Sequence, residues 1–285
     1  IENQKIEADG ASNYSDAVIS LGFSSIWKID EGKSFALSLQ RTERHPNATE
    51  LYSNGPHMAT SQYQSGDETL EKETAYGVDL TYRHRKDKWE YTTSAFYTQF
   101  ENYIFDEFQG NQIDDEGRRS NEVGFEEDHA LDEYNYVSAD ALFYGFEAEL
   151  DYIAYRADDT TVRVGVLADY VVAKNRDNND NLPRIPPLRL GVKAELEYGN
   201  WNAGVLLRHN YNQNDTAPNE SSTDGFTELE ADLSYSYDLG NGMLVTAFAR
   251  ANNLLDEEIR HHTSFIKDKA PRPGRNFTIG ARVEF

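Results

Sequence analysis

Apolar and polar residues alternate along most of this chain with a period of two. The clearest stretch sets Leu188, Leu190, Val192, Ala194, Leu196 and Tyr198 against Arg189, Gly191, Lys193, Glu195 and Glu197. Side chains of a strand point alternately to its two faces, so the pattern predicts a two-faced β-strand. The closing residues repeat it, with Phe277, Ile279, Ala281, Val283 and Phe285 on one face and Thr278, Gly280, Arg282 and Glu284 on the other. Eleven such strands are predicted, at about 17–29, 35–44, 73–83, 89–105, 142–152, 162–170, 188–198, 201–207, 229–237, 243–252 and 276–285. In 243–252 the faces are less distinct, because Leu244 and Phe248 fall beside Thr246 and Arg250. Residues 1–16 are polar and patternless.

The connections alternate as strictly as the side chains. Short turns fall near 31, 87, 158, 200 and 241, and long loops near 57, 122, 181, 219 and 264. Strands of about 10–14 residues joined in this way follow the transmembrane antiparallel β-barrel, with short periplasmic turns and long extracellular loops. A soluble sandwich would instead have to bury the Glu and Asp rows. Trp27, Trp89, Trp201 and Tyr198 sit at or beside short turns, where an interfacial aromatic girdle belongs. Bacterial single-chain barrels have an even strand number. Eleven strands therefore make residues 17–285 the carboxy-terminal part of a larger barrel and residues 1–16 the end of an extracellular loop.

Composition narrows the function. Basic residues number 27 and acidic 50, a net charge of −23. That balance excludes nucleic acid, which needs a basic footprint, and suits a cation or a cationic partner. The chain has no cysteine, so disulfides, thiolate metal sites and thiol nucleophiles are excluded. No run approaches the ~18 apolar residues of a membrane helix.

Histidine and carboxylate are the remaining metal ligands. The candidates are His45 and His57 in the first long loop, His129 in the second, and His261 and His262 in the last. His57 with His129 is the favoured pair, because the second loop, 106–138, carries eleven acidic residues against Arg118 and Arg119. The last loop has five basic residues against four acidic, a poor cation trap. Asp177 to Asn181 begins like a calcium loop, but Leu182 stands where glycine is required and Leu188 where the closing Glu is required. For an enzyme there is no G-x-S-x-G, and His209 with nearby Ser and Asp residues is a weak exception.

The segment Arg44-His45-Pro46-Asn47-Ala48-Thr49-Glu50-Leu51-Tyr52 resembles the R-x-P-x-x-x-E-L-Y signature of TonB-dependent outer-membrane receptors. Asn252 to Asp256 and Pro273-Gly274-Arg275 resemble that family's last loop, and terminal Phe285 its signal to the barrel-assembly machinery. Asn54 to Thr60, with Ser264 to Asp268, looks more narrowly like the zinc-uptake (ZnuD-type) receptors. The resemblance implies a 22-stranded barrel in the lipid of a Gram-negative outer membrane. It also implies an amino-terminal plug and a segment contacting the inner-membrane TonB complex, neither within these residues. The expected function is energy-coupled import of a metal ion or metal chelate, with no catalytic cofactor. Zinc (Zn2+) is the favoured cargo, a ferric siderophore or haem the alternative, and an outer-membrane enzyme or passive porin a lesser one.

Overall fold

The computed structural model describes residues 2–6, 14–240 and 242–285. In chain order the strands are β1 (Glu2–Ile6), β2 (Tyr14–Val18), β3 (Leu21–Asp30) and β4 (Lys33–Arg44). The helix α1 (Ala48–Tyr52) follows, then β5 (Asn54–His57), β6 (Gln62–Ser65), β7 (Glu73–Lys86), β8 (Trp89–Ile113) and β9 (Leu131–Ala157). The remainder are β10 (Thr160–Asn175), β11 (Arg189–Tyr198), β12 (Trp201–Asn210), β13 (Phe226–Gly240), β14 (Met243–Asn252) and β15 (Asn276–Glu284).

Eleven of these form one antiparallel meander, β3-β4-β7-β8-β9-β10-β11-β12-β13-β14-β15, each paired with its sequence neighbour in the path. Every predicted strand is present, and short turns join alternate pairs. The register puts like faces together: Val192 lies opposite Val166 on β10 and Leu207 on β12, and Val205 opposite Ala194 and Ala231. This face stays open, with Val192 52% and Val205 48% exposed. Such exposure over a contiguous apolar sheet suits lipid, not water.

The opposite face carries the acids, and basic residues one or two strands away meet them. Lys193 Nζ lies 2.6 Å from Glu149 and 3.0 Å from Asp151. Arg163 pairs with Glu195 at 2.8 Å, Arg189 with Asp169 at 2.8 Å, and Arg208 with Glu228 at 3.2 Å. In β14 the faces become distinct through the neighbours. Val245, Ala247 and Ala249 lie opposite Val283, Ala281 and Ile279, so Phe248 turns to the polar face. There it occupies the space beside Gly280, where a Cβ would approach Cζ of Phe248 to 2.5 Å.

Four expectations are corrected. The strand expected from residue 17 is two elements: β2 pairs with β1, and β3 enters the sheet at Leu21. The break lies where Glu43 accepts the Ile19 N–H at 2.7 Å and Arg41 donates to the Ile19 carbonyl at 3.0 Å. Residues 1–16 are accordingly not all patternless loop, since Glu2–Ile6 and Tyr14–Val18 form a hairpin. The loop expected at 45–70 contains α1, with Asn47 and Glu50 forming a reciprocal capping box, and the hairpin β5–β6. Finally, residues expected to be loop from Asp106 are strand to Ile113, and β9 begins at Leu131. Register shifts between Phe100 and Tyr103 and between Phe108 and Gln112 break the alternation there and hid the strand.

Candidate functional site

The two longest strands rise past their neighbours at the long-loop end and form a wall on which the other connections gather. On one side of the wall Leu51 and Leu70 pack with Ile104. On the other, Leu182 and Ile185 pack with Phe105, Ala139, Ala141 and Ala173, which carries the 176–188 connection in against the acid-bearing face. Strand β6 adds to β9 in parallel, Gln62 to Ser65 beside Asp132 to Asn135. Lys269 then ties the last connection to this corner, with Nζ 3.1 Å from Asp132 and 3.3 Å from the Ser61 carbonyl.

A cavity of about 240 Å³ lies between these pieces. Phe105, Phe108 and Tyr134 of the wall and Phe265 of the last connection give it aromatic surface. Its centre of charge is Arg184. The guanidinium stands 4.2 Å over the Phe265 ring and is ion-paired to buried Asp106, and its backbone N–H donates to Glu220 at 3.0 Å. Arg184 holds this place with φ of +60°, a left-handed conformation unusual for a long side chain. Pro183, Pro186 and Pro187 around it restrict the alternatives. Asp106 Oδ2 is buried with no partner among the described residues, so one acceptor beside the arginine stays open. Glu107, Asp132, Asp180, Glu220 and Asp268 also line the cavity, against Arg184 and Lys267, and its field is acidic.

Glu220 latches two connections together. Lys267 Nζ donates to its Oε1 at 2.9 Å, and His262 Nε2 lies 3.2 Å away. Burial pushes the Glu220 carboxyl up, but the hydrogen bonds from His262, Lys267 and the Ala217 N–H outweigh it and hold the group at about 2. At the tip of the wall Asp114 behaves alike. Burial opposes ionisation, while the Arg118 and Glu126 N–H groups and the Arg118 side chain bring it to about 2.

The five histidines do not converge. His45 is buried, with Nδ1 3.3 Å from the Tyr14 hydroxyl. His57 is exposed on β5 and bonds Thr60 Oγ1 at 2.8 Å. His129 ends a 3-10 turn, its Nδ1 3.3 Å from Glu126 and 3.4 Å from Asp115. His262 is enclosed in the Glu220 latch, also 3.0 Å from Thr223 Oγ1. His261 faces Phe226 edge-on at 5.4 Å and contacts Arg272 at 3.2 Å. Burial, then the charge of Arg272, depresses its basicity. Among the described residues no group of three or more His, Asp or Glu is arranged to hold a metal ion. His209 bonds Thr227 Oγ1 at 3.0 Å on the apolar face, away from the cavity, which is no geometry for a nucleophile's base.

Sequence reasoning missed Arg184 and Glu220, and it reached Phe265 and Lys267 only as part of the Ser264 to Asp268 resemblance, with no role for either side chain. The one local signal was an arginine set among three prolines in a loop; the partners lie too far along the chain for any spacing rule.

The chain resembles known proteins in fold. It overlays on the copper transporter OprC with a TM-score of 0.70 at 19% identity, covering 95% of this chain and 40% of that one. For the ferric enterobactin receptor PfeA of Pseudomonas aeruginosa the TM-score is 0.62 at 15% identity, with 96% and 40% covered. For the siderophore receptor PirA of Acinetobacter baumannii it is 0.60 at 14%, with 96% and 41% covered. The chain thus spans about two-fifths of the length of each. The family described as TonB dependent receptor-like, beta-barrel, matches residues 2–254, and the chain belongs to it.

Proposed function

We propose that these residues form part of the barrel of an outer-membrane receptor that imports a metal as a chelate, through TonB-driven movement of a plug. The observation that carries the chelate is the Arg184 cavity. Aromatic faces, amides and a fixed guanidinium bind an organic shell, whereas a bare ion needs several imidazole and carboxylate donors at one point. At about 240 Å³ the cavity is below the ~300–1,000 Å³ usual for a whole drug-sized ligand, so it receives a small chelate or one arm of a larger one. Its acidic lining favours a chelate of neutral or positive net charge. The siderophore receptors among the structural neighbours support a chelate, and the copper transporter supports a metal cargo without distinguishing the two.

Bare zinc is the second reading, favoured by His129 beside Asp115 and Glu126, a partial donor set. Titration of the full-length receptor with ferric siderophores of different charge, haem and zinc separates the two. Arg184→Ala is expected to weaken chelate binding by roughly tenfold, the scale of one charge-assisted contact. Unchanged chelate affinity in that variant, together with zinc binding lost in His129→Ala, would reverse the order.

A further inference from the structure

At the opposite end of the sheet, the turns β3–β4 and β7–β8 gather basic residues in a chain that is acidic overall. Gly32, with φ of +77°, sets the two turns together: a Cβ there would lie 2.0 Å from the Arg85 carbonyl oxygen, and the Arg85 N–H donates to the Gly32 carbonyl at 2.6 Å. Only glycine allows so close an approach. The contact places Lys33 directly opposite His84, with Lys86 two residues further along β7.

Alternation fixes which way these three point. Leu37 lies opposite Leu80 and Phe35 opposite Tyr82 on the apolar face, and Lys33, His84 and Lys86 continue the same row. The row therefore runs from leucine, through aromatic, to cation at the end of the sheet. Tyr91 stacks on His84 with centroids 4.8 Å apart and planes 16° from parallel, and Trp27 stacks on Phe35 at 5.7 Å. Two further facts point to a ligand. His84 Nδ1 is buried without a hydrogen-bond partner. None of the ion pairs among the described residues takes up Lys33 or Lys86, while the neighbouring Arg85 is held by Glu90. Asp30 faces Lys33 across the turn and lies in the field of both lysines, so it offsets part of their charge.

We propose that Lys33, His84 and Lys86 bind the phosphate of an anionic phospholipid, with its acyl chains lying over Phe35, Leu37 and Leu80. The order of the row is the order of a lipid: charge outermost, then the interfacial aromatic level, then hydrocarbon. This rests on the membrane reading, with the short turns at the periplasmic surface.

The test uses the full-length receptor in vesicles of phosphatidylcholine alone or with one-fifth phosphatidylglycerol, followed by native mass spectrometry of retained lipid. Phosphatidylglycerol is expected to be retained in preference. Lys33→Gln and Lys86→Gln should each reduce that preference about fivefold, the scale of one lysine at an anionic surface. Lys28→Gln removes an equal charge from the other face of the same turn and should leave the preference unchanged. Equal retention of both lipids, or an equal loss in Lys28→Gln, overturns the site. Insertion into pure phosphatidylcholine vesicles reads the barrel separately. A receptor that inserts without lipid preference sinks the lipid site alone, and one that does not insert sinks both.

Discussion

Glu220 shows how much of a binding surface rests on one side chain. It joins the 211–225 and 253–275 connections through Lys267 and His262, and it accepts the backbone N–H of Arg184. Its folded-state pKa of about 2 lies below the ordinary 4.5. The stabilisation is therefore complete above pH 4.5 and is lost as pH falls toward 2. Amide exchange in 213–225 and 259–267 is expected to accelerate across that window while β10–β13 amides stay protected. Glu220→Gln should loosen the same segments at neutral pH by roughly 1–3 kcal/mol, the usual cost of leaving buried partners unpaired. None of this was legible in the sequence. Glu220 reads as one acid among fifty, and His262, its partner, reads as a metal candidate. What separates a ligand from a latch is the set of neighbours, here a lysine 47 positions away.

At the scale of elements, the period-two pattern located all eleven strands because an open apolar face on one side and paired charges on the other impose opposite chemistries on successive residues. It failed where that contrast fades. Beyond Phe100 both faces of β8 meet protein, so Ile104 packs one way and Phe105 the other, and acidic residues looked like loop. Glycine within strands marks close approach there. At Gly145 a Cβ would come within 2.2 Å of the Tyr170 carbonyl oxygen and 2.9 Å of the Phe96 ring. Gly145→Ala should force β9 and β10 apart and cost about 1–3 kcal/mol, as overpacking does, read as a lower urea midpoint for unfolding from vesicles. A midpoint equal to wild type would mean that the strands separate freely at this point.

The whole molecule is an asymmetric sheet whose two faces tolerate opposite substitutions. Val192→Arg places a charge on the apolar face and should lower folding stability in bilayers by about 2–4 kcal/mol if it lies near the midplane. Lys193→Arg, one residue on, keeps its charge beside Glu149 and Asp151 and should fold normally. Equal stability of both in vesicles would remove lipid as the medium of the apolar face. The β8–β9 hairpin adds a different kind of asymmetry. At ~3.4 Å per residue, the 25 residues of β8 reach about 80 Å along the strand, against the roughly 35 Å that a tilted strand spends in an apolar band. Its tip, 114–130, is also densely acidic. On a living cell that tip would be the landmark an antibody or a phage tail meets before any other part of this sheet. Antibodies raised to it are therefore expected to label intact bacteria, and failure to label them would place this end of the sheet away from the cell surface.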